Sequence, residues 1–468
     1  MAYLNGNKVF LYGERTVDAN LTTKTIKQNG TYNASSDNAD GFSQVVVDVA
    51  PDVNGKYCAQ IVDYDGTILK EVWGNSGDTF IFPTPPIHAD LVFEKWVATR
   101  QITTTIIDGV TTYSLTFNDD DIMAGPLYHT ASGLNEFDIV LNMATGLSFD
   151  CYAQAGNVIN WGDGSSNTAT SNGYITHTYQ DYGEYTITYN GALSSTYYFN
   201  QNTKNINCQM VKRVRISNSV TILGNNIFKN CYNLETITIP SSVTSTSGNL
   251  ISLCQKIETI IFPDGLTSAS ANDLQQCNNL KYIIIPYGIQ YVFMFSNCYG
   301  ITKLILPESA VTLGNMYNSY SLKKIKIPNS VTGISTFQTC YGLEEAIIGT
   351  GVTAISQSCF VNCSSLVKIE MHDNITEIKP TAFQGCPFTS LKLPKNVSII
   401  GSQAFRQCNY CISYDFTQCT SVPQAGASMF FGVTAPFKIF VPSSLYDTWI
   451  IATNWVAYAA NIIPVDNA

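Results

Sequence analysis

Fourteen cysteines in 468 residues are the first place to look for chemistry. Thiolates bind zinc, exchange disulfides or act as nucleophiles, and their spacing and surroundings decide among these roles. Nine of them fall at Cys208, Cys231, Cys254, Cys277, Cys298, Cys340, Cys363, Cys386 and Cys408. The intervals are 21 to 23 residues with one double gap of 42. Ser319 fills that gap in the same local wording, Asn-Ser-Tyr-Ser-Leu beside Asn-Cys-Tyr-Asn-Leu around Cys231. An interval this long and this regular puts one cysteine in each structural repeat instead of several around one metal. Cys359 stands where other repeats carry Ala382 and Ala404, and Cys411 stands where others carry Leu or Ile. The Cys408-x-x-Cys411 pair lacks the second ligand pair a zinc site needs, with only Cys419 near in sequence. We therefore expect no metal and no cofactor, and a column of cysteines packed as small hydrophobes. An unpaired ladder also implies assembly in a reducing cytoplasm.

The remaining chemistry is sparse. His88, His129, His177 and His372 are isolated from one another in sequence. No Gly-x-Ser-x-Gly elbow, phosphate-binding glycine loop or His-Glu-x-x-His is present. Asp63-Tyr64-Asp65-Gly66-Thr67 resembles the nucleophile motif of haloacid-dehalogenase-type phosphatases, with Asp119-Asp120-Asp121 as a nominal magnesium pair. The stretches between them, such as Thr79-Phe80-Ile81-Phe82-Pro83, are strand-like and too short for the crossover helices that fold requires. A hairpin turn at Asp65-Gly66 is the expectation instead, and the protein is expected not to be an enzyme.

The elements that must position these residues follow from the repeat. Apolar residues lie three, six and eight positions after the cysteine and a proline often nine after, as in Cys231, Leu234, Ile237, Ile239 and Pro240. A Phe lies three before it at Phe228, Phe295, Phe337, Phe360, Phe383 and Phe405. This spacing predicts one short strand per rung, apolar side chains inward, with Pro ending the strand. No rung buries its own apolar face, so rungs must stack. About ten rungs at roughly 4.8 Å span on the order of 50 Å. The motif Cys-x-x-Leu-x-x-Ile-x-Ile-Pro-x-Ser-Val-Thr resembles the BspA-type leucine-rich repeat over residues 205–442. Ser443 or Ser444 is expected to cap a helix running to about residue 460 and closing the last rung.

Upstream, Trp161-Gly162-Asp163-Gly164-Ser165, His177-Thr178-Tyr179 and the alternating Tyr185-Thr186-Ile187-Thr188 resemble a PKD-type β-sandwich, a spacer module in which the Trp-Gly-Asp-Gly-Ser segment is mostly structural. Asp163 lacks the acidic partners of a calcium site. The wording of residues 24–34 and 38–49 resembles tail-associated proteins of phages and prophages of Gram-positive bacteria, and the Asp63–Thr67 module, PKD-like domain and cysteine-bearing repeats that follow are similar to a combination found in such proteins, so the likeness covers most of the chain. The expected fold class is thus mainly β and multidomain: an N-terminal β module for virion attachment over 1–51, a small β domain over 52–133, a PKD-like sandwich over 134–200, a solenoid over 201–442 and a helical cap over 443–468.

Side chains five and seven after each cysteine should face out of the sheet. They include Arg213, Arg215, Tyr282, Lys303, Lys324, Lys326 and Lys368, with Lys392 in the shifted rung. A second column one after the cysteine carries Tyr232, Tyr299, Tyr320 and Tyr341. In a chain of net charge −10 this collects much of the basic complement on one face. That face suits an anionic or sugar-rich polymer, with Tyr stacking on sugar rings. The alternative is that lysines there only keep the sheet soluble. Outward Ile261, Ile284, Ile305 and Ile347 suggest a partner surface. The acidic balance argues against nucleic acid, and no apolar run approaches a membrane span. The opening residues lack a signal-peptide core and the end lacks a wall-sorting motif. These readings give a virion protein of a phage tail, assembled in the host cytoplasm. Its partners would be other virion proteins through the N-terminal region, a host cell-surface polysaccharide or protein through the repeats, and further copies of itself. The rivals are a bacterial cell-surface or secreted adhesin and a purely structural virion component.

Overall fold

Short parallel strands in two ladders build the C-terminal half of the protein: beside the expected strand of each repeat runs a second, two-residue one, as in Ala354–Ile355, Glu377–Ile378, Ile399–Ile400 and Gln424–Ala425. In the computed structural model, Thr259–Ile261 pairs with Tyr282–Ile284, and Lys324–Lys326 pairs with Glu345–Ile347 and then Lys368–Glu370. The structure describes residues 55–107, 110–193 and 206–466, apart from 247, 249, 267–273, 293, 294 and 335, and the backbone of four strands before residue 50. Most of the wording at 24–50 that carries the virion resemblance lies outside the described residues.

The chain divides into two compact units. The first comprises Met1–Cys58, Val72–Thr79 and Thr116–Asp121. Its N-terminal strands form an antiparallel sheet in the order Ala2–Leu4, Asn7–Tyr12, Val45–Val49, Thr31–Tyr32. Within the same unit the Gly77 amide donates to the Phe117 carbonyl at 2.9 Å.

The second unit holds everything that concerns the site. It begins with a small β layer in which Ile122–Thr130 lies parallel to Tyr57–Val62 at Ile122–Ala124 and antiparallel to Leu91–Ala98. A β-sandwich follows, built on the period-two alternation of strands such as Gly183–Tyr189. One of its sheets pairs Ser148–Ala153 with Gly173–Thr178. Its other sheet does not stop at the sandwich. Asn135–Leu141 pairs with Gly183–Tyr189 on one side and with Val211–Arg215 on the other, and Val211–Arg215 pairs in parallel with Thr236–Thr238. Sandwich and solenoid thus share a six-stranded sheet, and one continuous core runs from Phe137 and Trp161 to Trp455 and Ile462. The sandwich covers the edge that the first rung would otherwise expose.

Inside the solenoid the residue six after the column position points inward in most rungs, where Ile260, Ile283, Ile325 and Ala346 are all buried; in the shifted rung after Cys386 the buried residue is Leu391 instead. Phe337, Phe360, Phe383 and Phe405 stack face to face at 5.6, 5.8 and 6.0 Å. The residue just before each column position turns the chain in the left-handed region, at Asn230, Asn297, Asn318, Asn362 and Gly385 among others. Asn and Gly tolerate that conformation best. Leu253 and Thr339 occupy the same place at φ 67° and 57°, where the left-handed turn is a strained choice.

The C-terminal cap differs from a single helix. Ser443–Leu445, Tyr446–Trp449 and Val456–Asn461 are short helical turns, and Ile462–Val465 returns as a strand parallel to Lys438–Pro442. Two buried indoles explain the interruption. Trp449 and Trp455 each meet Phe416 edge-on at 5.4 Å, and Trp455 Nε1 donates to the Pro423 carbonyl at 2.7 Å. A continuous helix carries residues 449 and 455 to different faces; broken turns bring both under the last rung. Pro464 lies in the final strand of this sheet, where a missing N–H blunts further pairing.

Candidate functional site

The cysteine column is structural, and for a reason beyond size. From Cys254 onward each column thiol donates to a carbonyl of the preceding rung, as Cys277 does to Ile251 at 3.0 Å, Cys298 to Leu274 at 2.8 Å, Cys340 to Met316 at 3.0 Å and Cys408 to Phe383 at 3.1 Å. Ser319 makes the same bond to Phe295 at 3.0 Å. Reading the column as packing alone misses this donor role, although the Ser at 319 carried the signal. Burial pushes the thiols of Cys298, Cys340 and Cys408 up to about 12, the opposite of what a nucleophile or metal ligand requires.

The Asp63–Thr67 segment is the expected hairpin turn. The Asp63 amide donates to the Thr67 carbonyl at 2.8 Å and the Gly66 amide to the Asp63 carbonyl at 3.0 Å. Asp63 is 2% exposed, and its carboxylate accepts from the Tyr64 amide and pairs with His88 at 2.9 Å. Asp163 is likewise occupied. One oxygen accepts from the Ser165 hydroxyl and amide at 2.6 and 2.9 Å, and the other lies 2.7 Å from His177, which stacks on Trp161. The Ser165 hydroxyl holds this carboxyl down at about 2, outweighing a smaller upward push from burial.

The outward sheet face splits in two. Over its first rungs the small β layer lies on it. Val97, Met123 and Leu127 close a second core against Ile261, Ile284 and Ile305, with Tyr64 and Tyr282 packed alongside. These three isoleucines are 4%, 0% and 6% exposed. The expectation that they form a partner surface is corrected: the partner is the chain's own β layer. Polar contacts rim the patch, with Lys95 to Asp264 at 2.7 Å and Glu94 accepting from the Ser241 amide at 2.7 Å. Gly125 permits the approach, since a Cβ there would sit 2.6 Å from Ile261 Cδ1 and 2.7 Å from the Val62 carbonyl.

Arg215 is also withdrawn from any ligand. It is 9% exposed and holds Asp138 through both terminal nitrogens at 2.8 Å and Glu136 through Nε at 2.8 Å. Burial raises the Asp138 pKa, but Arg215 more than reverses this and leaves it below the usual carboxylate value. Arg213 is exposed and stands 3.7 Å from Asp138. Lys303 is half-buried and joins Lys324 by an isolated β-bridge.

From Lys324 onward the face is open, with Lys324, Lys368, Glu370, Ser390, Lys392 and Lys438 exposed and Lys326 partly so. Its charges interlock. Glu345 pairs with Lys324 at 3.1 Å and Lys368 at 2.7 Å, and Lys368 also meets Glu370 at 2.7 Å. Burial raises the Glu345 pKa, and the two lysines bring it below the usual carboxylate value. The face is an alternating ladder of charge, not a plain basic stripe.

The tyrosine column is real but arranged against sugar stacking. Tyr299, Tyr320 and Tyr341 lie face to face at 4.8 and 5.1 Å, with planes 7° and 21° apart. Both faces of Tyr320 are therefore covered, and ring edges are what the stack presents. Tyr232 is half-buried.

These features define a class: a parallel β-solenoid with a buried thiol donor in most rungs, sealed by a sandwich at one end and by short helical turns and a strand at the other. Residues 201–447, more than half of the chain, match the BspA type leucine-rich repeat region in six copies, and the chain belongs to that family. Among solved structures, a leucine-rich repeat protein from Bacteroides ovatus is 22% identical, with 62% of this chain and 90% of that one covered and a TM-score of 0.35. A leucine rich cell surface protein from Faecalibacterium prausnitzii is 21% identical over 52% of this chain and 82% of that one, with a TM-score of 0.31. The pneumococcal vaccine antigen PcpA is 15% identical over 53% and 76%, also with a TM-score of 0.31. No curated protein matches the sequence.

Proposed function

We propose that this protein is a non-enzymatic, adhesin-like leucine-rich-repeat protein of a bacterial surface, which contacts a cell-surface polysaccharide or protein through the open part of its solenoid sheet. One observation carries the reading: the β layer seals the apolar rungs at Ile261, Ile284 and Ile305, while the strands from Lys324 to Lys438 leave polar, charge-alternating side chains exposed. A sheet that needed only solubility would need no covering module beside it. The virion reading rests on the wording of residues 24–34 and 38–49 and on the combination of modules that follows, whereas the adhesin reading rests on repeats that make up more than half of the chain.

The test is binding of the full chain to intact bacterial and epithelial cells, with a Lys326→Glu/Lys392→Glu variant beside it. Saturable binding by the natural sequence, weakened about tenfold in the variant, is the expected result, since charge-assisted hydrogen bonds at two positions are replaced by repulsion. Saturable binding that is equal in both sinks the assignment to this face.

A further inference from the structure

The hairpin that follows Leu91–Ala98 leaves one strand edge open. In it Thr103–Ile107 pairs with Val110–Thr116 from Thr103↔Ser114 to Ile107↔Val110, and among the described residues Thr103–Ile107 is the last strand of its sheet. The Phe82 amide donates to the Tyr113 carbonyl at 3.0 Å, so Tyr113 turns its backbone groups away from that last strand. Thr104, opposite Tyr113, turns its own amide and carbonyl the other way, out of the sheet, and Ile106 does the same two residues on.

Edge strands are normally blunted by charge, proline, a bulge or a covering segment. Residues 101–107, Gln-Ile-Thr-Thr-Thr-Ile-Ile, hold no charge and no proline. The register runs without a shift. Thr103, Thr104, Thr105 and Ile106 are all exposed, Ile106 at 71%. Every residue of the strand is β-branched, the class that favours pairing. The solenoid is guarded by contrast, with the sandwich on its first rung and Pro464 in its last strand. In a chain of net charge −10, a charge-free edge is also where two copies approach with least repulsion.

The strand is complementary to itself. About a two-fold axis at Thr105, an antiparallel copy sets Thr105 against Thr105, Thr103 against Ile107 and Thr104 against Ile106. The outward backbone groups of Thr104 and Ile106 then face one another and exchange hydrogen bonds in both directions. A register shifted by one residue sets outward groups against inward ones, and this one uses the whole strand. No charged residue enters any of these pairs.

We propose that the Thr103–Ile107 edge is the interface of a two-fold dimer of this chain, in which two hairpins join into one antiparallel sheet through Thr104 and Ile106. The dimer carries two solenoid faces, which gains avidity for a repeating surface polymer, but it does not depend on that reading.

Sedimentation velocity of the full chain, over a series from micromolar to millimolar concentration, tests it. An edge-only interface is smaller than a standard one, so a monomer–dimer equilibrium with its midpoint in that range is expected. Thr105→Lys sets like charges against each other at the axis and should weaken dimerisation at least about tenfold, as should Thr105→Glu. An equimolar mixture of the two variants should restore it, because only a contact at the axis turns that repulsion into attraction. Thr105 is exposed, and unchanged melting curves verify that both variants keep their fold. Amide exchange of the natural chain reads the same edge without substitution: Thr104 and Ile106 should be protected above the midpoint and not below it. A natural chain that stays monomeric throughout, undiminished dimerisation of Thr105→Lys, no recovery in the mixture, or exchange at Thr104 and Ile106 that ignores concentration overturns the proposal.

Discussion

Ser319 shows what the column position requires. A hydroxyl replaces a thiol there and makes the same bond to a carbonyl in the rung before. Cys340→Ala removes that donor and leaves the buried Met316 carbonyl short of a partner, at a cost of about 1–2 kcal/mol, whereas Cys340→Ser keeps the bond and costs less. Urea unfolding of the two variants separates them; equal losses would return the column to packing alone. The thiols also set an alkaline limit. Burial moves Cys298, Cys340 and Cys408 from 9.0 to about 12. A group whose pKa is raised on folding contributes its stability fully below the unfolded value and loses it as pH rises towards the folded one. Stability is thus expected to be insensitive to these thiols below pH 9 and to fall between 9 and 12. Melting temperatures across that range check it, with Cys340→Ser showing a shallower fall.

At the scale of elements, the rung was legible because its signals are local. The inward positions at Ile260, Ile283 and Ile325 follow from a period of two, and strand ends follow from proline. What lies against the outward positions is a long-range fact. The run of outward isoleucines at 261, 284 and 305 announced a covered surface, but nothing nearby says that Val97, Met123 and Leu127 do the covering. The same limit applies to Arg215, which reads as a face cation until Glu136 and Asp138 are folded against it. The charged ladder and the stacked tyrosines were legible as columns; their salt bridges and covered ring faces were not. Gly125 is the sharpest test of the docked layer. Gly125→Val forces a side chain into Ile261 and the Val62 carbonyl, at about 1–3 kcal/mol. Hydrogen exchange should show Ile122–Thr130 opening while rungs beyond Lys324 keep their protection; unchanged exchange would mean the approach is looser than the geometry shows.

At the scale of the molecule, the shared sheet decides where the protein can be cut. A chain starting at residue 201 loses Asn135–Leu141 and leaves the Val211–Arg215 edge bare, with Arg215 stripped of both carboxylates. It should aggregate, whereas a chain starting at residue 55 should remain soluble; size-exclusion chromatography distinguishes them, and a monodisperse 201–468 fragment would show the sandwich to be dispensable. Among the described residues no helix is long and apolar enough to cross a bilayer.

The thiol ladder has one more consequence. All fourteen cysteines are free and buried. Oxidants act on exposed thiolates, and these sulfurs are all buried. The absence of disulfides therefore carries no address: the argument from unpaired cysteines to a reducing cytoplasm loses its force. A protein built this way is expected to keep its covalent structure unchanged in glutathione-rich cytosol and in open air alike.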